Sequence, residues 1–163
     1  MKHITLSKGH IVKVCDCHYD IVKSYKWSSV IFGKSSKWYA IRGTHTTHRG
    51  NHLRTSHLMH RDIINAPKDK SVDHIDGDTL NNQCNNLRLC DQSQNNANQQ
   101  GAKKNSKSGV KGVYWHKGAK KWCAEVVQGK KKHYLGLFDE LEQARQARNA
   151  KAKELHGDFY YPS

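Results

Sequence analysis

The stretch SVDHIDGDTLNNQCNNLRLCDQSQNNAN, residues Ser71 to Asn98, crowds carboxylate, imidazole and amide side chains into an order that composition alone does not produce. Asp73 and His74 are adjacent, so on an extended strand they point to opposite faces, and a twist or bulge is needed to bring both to one site. Asp76-Gly77-Asp78 reads as a tight turn, and Asn86-Leu87-Arg88-Leu89 as a short second strand. Asp91 or Ser93 can cap a following helix that carries Asn95 inward. The unit expected is strand, loop, strand, helix.

Asp73-His74, the Asn-rich loop ending in Asn86-Leu87-Arg88-Leu89, and Ser93-Gln94-Asn95 together resemble the HNH motif of phage-type homing endonucleases. That resemblance implies a ββα-metal core over about residues 71–98. By position it makes Asp73 a metal ligand, His74 the general base, Asn86 the brace of the loop and Asn95 the second ligand. The last letter departs from the family pattern, because no His follows near Asn95. Some members use Asn there, and Asn96 and Asn98 are rivals for the place.

The chemistry gives its own reasons for these residue types. Phosphodiester hydrolysis requires a nucleophilic water, relief of charge on the phosphoryl oxygens and stabilisation of the leaving 3' oxygen. A neutral imidazole can take the water's proton near neutral pH. One hard divalent cation, held by a carboxylate and an amide oxygen, serves the other two needs, and oxygen ligands favour Mg2+ or Mn2+. The plainer alternative is a polar turn without chemistry.

A chain of 163 residues with 36% hydrophobic content can hold one domain or two small ones with modest cores. No apolar run reaches membrane-spanning length and no secretory signal opens the chain, so a soluble protein acting in the cytoplasm is expected, the host cell's if phage-encoded. Cys15, Cys17, Cys84, Cys90 and Cys123 are odd in number and lack paired CxxC spacing. Reduced thiols are therefore expected, with no disulfide framework and no structural zinc.

The net charge of +14 is unevenly spread. Residues 1–70 carry 13 Lys and Arg against 4 Asp and Glu, residues 71–100 carry 1 against 4, and residues 101–163 carry 14 against 6. An acidic island between two basic arms suits a cation site flanked by phosphate-binding surfaces. Double-stranded DNA is the expected partner; charge alone also suits RNA.

Residues 1–70 read as a mixed α/β lead-in. Ile4 to Leu6 and His10 to Val14 flank Lys8-Gly9 like a hairpin, Lys37 to Arg42 alternates as a strand, and Trp27 is a core anchor. Asp20 to Tyr25 reads as a helical turn and Leu58 to Ile64 as a helix stopping near Pro67. Within this lead-in, LSKGH, YKW, KWYAIRG and MHRDII are similar to the region preceding HNH motifs in phage endonucleases. His45, His48, His52, His57 and His60 crowd one window, where solvated loop histidines are the simpler reading than a metal site. Arg61 could reach the scissile phosphate, and Arg88 is a second candidate DNA contact.

GAKKNSKS, residues 101–108, reads as a linker. Beyond it Val110 to Trp115, Trp122 to Val127 and His133 to Phe138 read as three strands. A helix is expected from Asp139, with Asp139 and Glu142 as capping box and Gly157 as its stop; its Arg148 interrupts an apolar face and should reach out to an edge. SGVKGVYW, KKWCAEV, YLGLF and the Ala-rich helix resemble the AP2 DNA-binding domain over residues 108–160. That resemblance implies DNA contacts from Lys111, Tyr114, His116, Lys132 and Tyr134, with Lys117, Lys120, Lys121, Lys130 and Lys131 on backbone phosphates.

The expected fold is α+β. A small mixed N-terminal sheet leads into the HNH motif (domain 1–100), and a separate three-stranded antiparallel sheet packed on one helix follows (109–163). The expected function is metal-dependent cleavage of duplex DNA, as a monomer or homodimer. The alternative is a non-catalytic DNA-binding regulator that keeps an HNH scaffold.

Overall fold

The computed structural model describes residues 1–32, 36–48, 51–98, 106–160 and 162, with backbone alone for 45–48 and 51–54. The fold is mixed α+β, with several small sheets and few helices, and the chain divides into two compact units, Met1–Cys90 and Asp91–Ser163. Most of the expected linker lies outside the described residues. Among the described residues, no helix is long and apolar enough to cross a membrane.

In the first unit, β1 (Lys2–Thr5) and β2 (Ile11–Val14) form the expected hairpin. Gly9 sits in its turn at φ +81°, a conformation glycine adopts without the Cβ clash of other residues. Next, α1 (Asp16–Lys23) starts four residues earlier than the Asp20 expected from sequence, with Asp16 in its first turn and Lys23 in its last, both matched to the helix dipole. Trp27 is 2% exposed and donates its indole N–H to Val22 O at 2.7 Å, which makes it the core anchor that its size suggested.

β3 (Ser28–Ile31) pairs with β4 (Trp38–His48), and β4 with β5 (Asn51–Leu58), all antiparallel. The histidine-rich window is therefore a long hairpin and not a loop. Thr44, Thr46, Thr47 and Thr55 favour extended backbone, and pairing from Ile41↔Leu58 to His48↔Asn51 satisfies the peptide groups without the apolar alternation that marks a half-buried strand. The following α2 (Met59–Ile63) ends well before Pro67.

β6 (Ser71–His74) is antiparallel to β8 (Leu87–Cys90), with Asp73 opposite Arg88 and His74 opposite Leu87. β7 (Asn81–Asn82) runs parallel to β2, completing a mixed three-stranded sheet β1-β2-β7. One core of Leu6, Val12, Val14, Val22, Trp27, Ala40, Met59, Ile63 and Leu87 sits beneath these pieces. Each of its buried Val, Leu, Ile and Met side chains contributes about 1.5–3 kcal/mol, and Leu87 ties the core directly to the polar stretch beside it.

In the second unit, α3 (Gln92–Asn98) opens with a reciprocal cap: Asp91 Oδ1 accepts Gln94 N–H and Gln94 Oε1 accepts Asp91 N–H, both at 2.8 Å. β9 (Val113–His116), β10 (Lys121–Gln128) and β11 (Lys131–Phe138) form an antiparallel sheet with β10 central. Its inner face packs on α4 (Leu141–His156) around Val110, Val113, Ala124 and Ala144, with Trp122, Leu135, Phe138 and Leu141 at the margin. Gly112 is required: its φ is +78°, and a Cβ there would collide with Glu125 O.

Two local expectations fail in this unit. The Asp139/Glu142 capping box does not form, because the helix begins one residue later, with Glu140 at its N-cap; Asp139 pairs instead with Lys121 at 3.0 Å and Glu142 with Arg145 at 2.8 Å. Nor does Arg148 reach solvent: it is 4% exposed, with Nη1 on Asn149 Oδ1 at 3.0 Å. Ala144 and Ala152, one turn to either side of it and both 0% exposed, place it on the face of α4 that packs against the sheet. Gly157 does terminate the helix, at φ +51°.

Candidate active site

The β6–β8 ladder sets the first two polar side chains. Its register is continuous from Ser71↔Cys90 to His74↔Leu87, with no bulge. Asp73 is 6% exposed and His74 is 4% exposed. Arg88 Nε donates to Asp73 Oδ2 at 2.9 Å, and Nη2 lies 2.8 Å from the same oxygen. The guanidinium that the sequence offered to DNA thus orients the carboxylate opposite it, a charge-assisted contact of the stronger kind.

His74 Nε2 meets Asn82 Oδ1 at 3.0 Å. With the amide oxygen as acceptor, Nε2 carries the proton and the lone pair sits on Nδ1. Burial pushes the imidazole below the ordinary histidine range, although Asn82 and the carboxylates of Asp76, Asp73 and Asp78 pull the other way. The rings of His60 and Tyr39 wall the imidazole, with centroids 5.1 and 6.4 Å away. His60 is itself buried, and desolvation with the charges of His74 and Arg61 lowers it to about 3. Two neutral rings stacked edge to face can share a dry pocket where two cations could not.

The loop between the strands is held by amides. Asn86 Nδ2 donates to Asp76 Oδ1 at 2.9 Å and to Asn81 O at 2.8 Å, while its Oδ1 accepts Asp76 N–H at 3.1 Å. Asp76 and Asp78 close the turn on the N–H groups of Asp78 and Leu80, and Gly77 adopts φ +74°. Thr79 Oγ1 then donates to Trp38 O at 2.6 Å, fastening the loop to β4.

Asp73 and His74 are consecutive on the regular β6–β8 ladder, and Asn86 ends the turn that leads into β8. Asn95 stands half-buried on α3, in the second unit, where Asn98 is buried and Asn96 exposed. Arg61 is occupied by main chain, donating to Lys70 O at 2.9 Å, Pro67 O at 2.6 Å and Ala66 O at 3.3 Å. Lys111 donates to Asn96 O and Ala97 O at 2.5 and 3.3 Å, and burial lowers it to about 8. Tyr114, His116, Lys117, Lys132 and Tyr134 are exposed on the sheet and its loops, and Lys121 is half-buried. Of these, Lys132 pairs with Glu125 at 3.0 Å, Lys121 with Asp139, and Tyr114 Oη donates to Glu125 at 3.3 Å.

One expectation is overturned. Cys15, Cys17, His18 and Cys84 offer four ligand atoms all within 4.8 Å of one another, a soft donor set that suits zinc, so an absence of structural zinc no longer stands. Spacing rules missed it because three ligands lie in Cys15–His18 and the fourth is brought in from the loop between β6 and β8. Asn82 and the walling role of His60 were missed as well. An Asn pair inside the Asn-rich loop and a His at the head of α2 were the available signals.

A family model described as HNH endonuclease matches residues 65–97. The chain is 38% identical over 93 residues to Protein 3.8 of Escherichia phage T7, covering 57% of this chain and 75% of that protein. It is 31% identical over 158 residues to the uncharacterized HNH endonuclease L560 of Acanthamoeba polyphaga mimivirus, covering 96% of this chain and 76% of that protein. No solved structure matches. The chain belongs to the HNH endonuclease family.

Proposed function

We propose that this protein hydrolyses phosphodiester bonds in duplex DNA with the help of a divalent cation, His74 acting as general base. The observation that carries the reading is the His74 imidazole, kept neutral by burial and fixed through Nε2 by Asn82, on the same ladder as the Arg88-oriented Asp73 carboxylate. Nδ1 would take the water's proton, and the imidazolium so formed would be stabilised by Asp76, Asp73 and Asp78. Asn82 Nδ2, buried and without a hydrogen-bond partner among the described residues, marks a donor beside the ring that a polar reactant can satisfy. Asn86 keeps the loop from shifting the imidazole.

An oxygen donor set fits a hard cation. The Asp73 carboxylate would hold it, and when bound it relieves charge on the phosphoryl and leaving oxygens. Hydrolysis would leave 5'-phosphate and 3'-hydroxyl ends. The second unit would grip DNA through its exposed sheet face, in the manner of an AP2-like domain, for which Tyr114, Tyr134 and the exposed lysines 117, 130, 131 and 132 are the support. The work would be done in the host cell.

The test is nicking of supercoiled plasmid with magnesium, with EDTA, and by Asp73→Ala. Cleavage should vanish in both interventions while gel-shift affinity for duplex DNA stays within about twofold. Cleavage that survives Asp73→Ala refutes the metal assignment. A second reading, DNA binding without cleavage on a retained HNH scaffold, is favoured by the near-complete burial of Asp73 and His74. An inactive but tightly binding wild-type protein would select it.

A further inference from the structure

The cluster of Cys15, Cys17, His18 and Cys84 has the donors, spacing and support of a closed metal site. Cys15 ends the segment after β2, Cys17 and His18 occupy the first turn of α1, and Cys84 opens the 3-10 turn Cys84–Asn86. All four belong to the first unit. His18 Nδ1 lies 3.1 Å from Cys15 Sγ and 3.2 Å from Cys17 Sγ, and no pair among the four donor atoms exceeds 4.8 Å. Tetrahedral zinc, with Zn–S near 2.3 Å and Zn–N near 2.0 Å, places its donors roughly 3.5–3.8 Å apart. Small side-chain rotations therefore suffice to close four bonds.

Two further features suit thiolates and not merely a polar cluster. The Cys84 backbone N–H donates to Cys15 Sγ at 3.3 Å across 69 positions of sequence, the kind of outer hydrogen bond that stabilises a metal-bound sulfur. Cys15 is also the N-cap of α1, where the helix dipole favours negative charge. Three sulfurs and one imidazole select zinc over the hard cations that oxygen ligands prefer, and four protein donors leave no open position for substrate.

We propose that Cys15, Cys17, His18 and Cys84 bind one structural zinc ion that staples the β2–α1 corner to the turn bearing Asn86. The ion joins segments distant in sequence, closing a long loop whose entropy a small core must otherwise oppose. Asn86 is two residues from Cys84, so the staple also steadies the loop between Asp76 and Asn86. The site stands independently of the nuclease reading.

Elemental analysis of the full-length protein, purified without added metal, should find about one zinc per chain. Cys84→Ser and Cys17→Ser should each lower that content at least about fivefold. Asp73→Ala and Cys123→Ser should keep it, so a chain that binds zinc but cleaves nothing sinks only the nuclease reading. If a cysteine variant fails to fold, cobalt exchanged into the wild-type protein decides. Intense thiolate charge-transfer and tetrahedral d–d bands support the site, and a weak octahedral spectrum overturns it. Zinc-free wild-type protein, zinc undiminished in Cys84→Ser, or a Cys15–Cys84 disulfide in the purified chain would each overturn it as well.

Discussion

The candidate site of the first unit and the exposed sheet face of the second treat their polar side chains in opposite ways. In the first, Asp73, His74, Asn82 and Asn86 are all under 9% exposed and tied to named partners, so their positions are over-determined by hydrogen bonds in a dry setting. In the second, Tyr114 and Tyr134 are 45% and 62% exposed, and the neighbouring lysines stand in solvent. Burial makes each electrostatic contact stronger and each error costlier; exposure keeps charges exchangeable. On the proposed function, chemistry uses the first arrangement and gripping a polyanion of varying sequence uses the second.

The comparison can be broken at several points. The largest effect is expected from His74→Ala, which should lower plasmid nicking by about 10²–10⁴ while leaving duplex affinity nearly unchanged. A loss of affinity as large as the loss of rate would deny the separation of roles.

Acid should unfold the first unit. The His60 imidazole sits at about 3 in the folded chain against an ordinary value near 6.5, so between those limits the unfolded chain binds the extra proton. Stability is full above about 6.5 and falls as the pH drops toward 3, by up to about 2 kcal/mol between pH 7 and 5. Urea midpoints across that window test it, and His60→Gln should flatten the slope. A slope unchanged in the variant would assign it elsewhere.

Removing Lys117 and Lys131 together should weaken duplex binding about tenfold at physiological salt and flatten the log K against log salt slope by about 1.8. Cleavage at saturating DNA should hold. A reduced maximal rate with an unchanged salt slope would contradict the assigned division.

Asn82→Ala is the finest test. Losing one hydrogen bond should cost about fivefold in rate. That bond raises the imidazole's pKa, so the acid limb of the pH–rate profile should move to lower pH. A purely structural Asn82 would lower the rate without moving the limb.

What the sequence determined by itself is local. The Lys8-Gly9 hairpin, the Asp76-Gly77-Asp78 turn, a capped start of α3 at Asp91 or Ser93, the Gly157 stop and the Asp73-His74 to Asn86 order all depend on side chains meeting their own near neighbours. Tertiary structure decided the rest. Arg88 falls opposite Asp73 because of strand register, Arg61 turns back onto the carbonyls of residues 66–70, and Lys111 is drawn to the last carbonyls of α3. His60 reaches His74, and Cys84 reaches Cys15, across separations that no residue spacing encodes. Such pairs exist only once the core beneath them has packed and brought segments distant in sequence side by side.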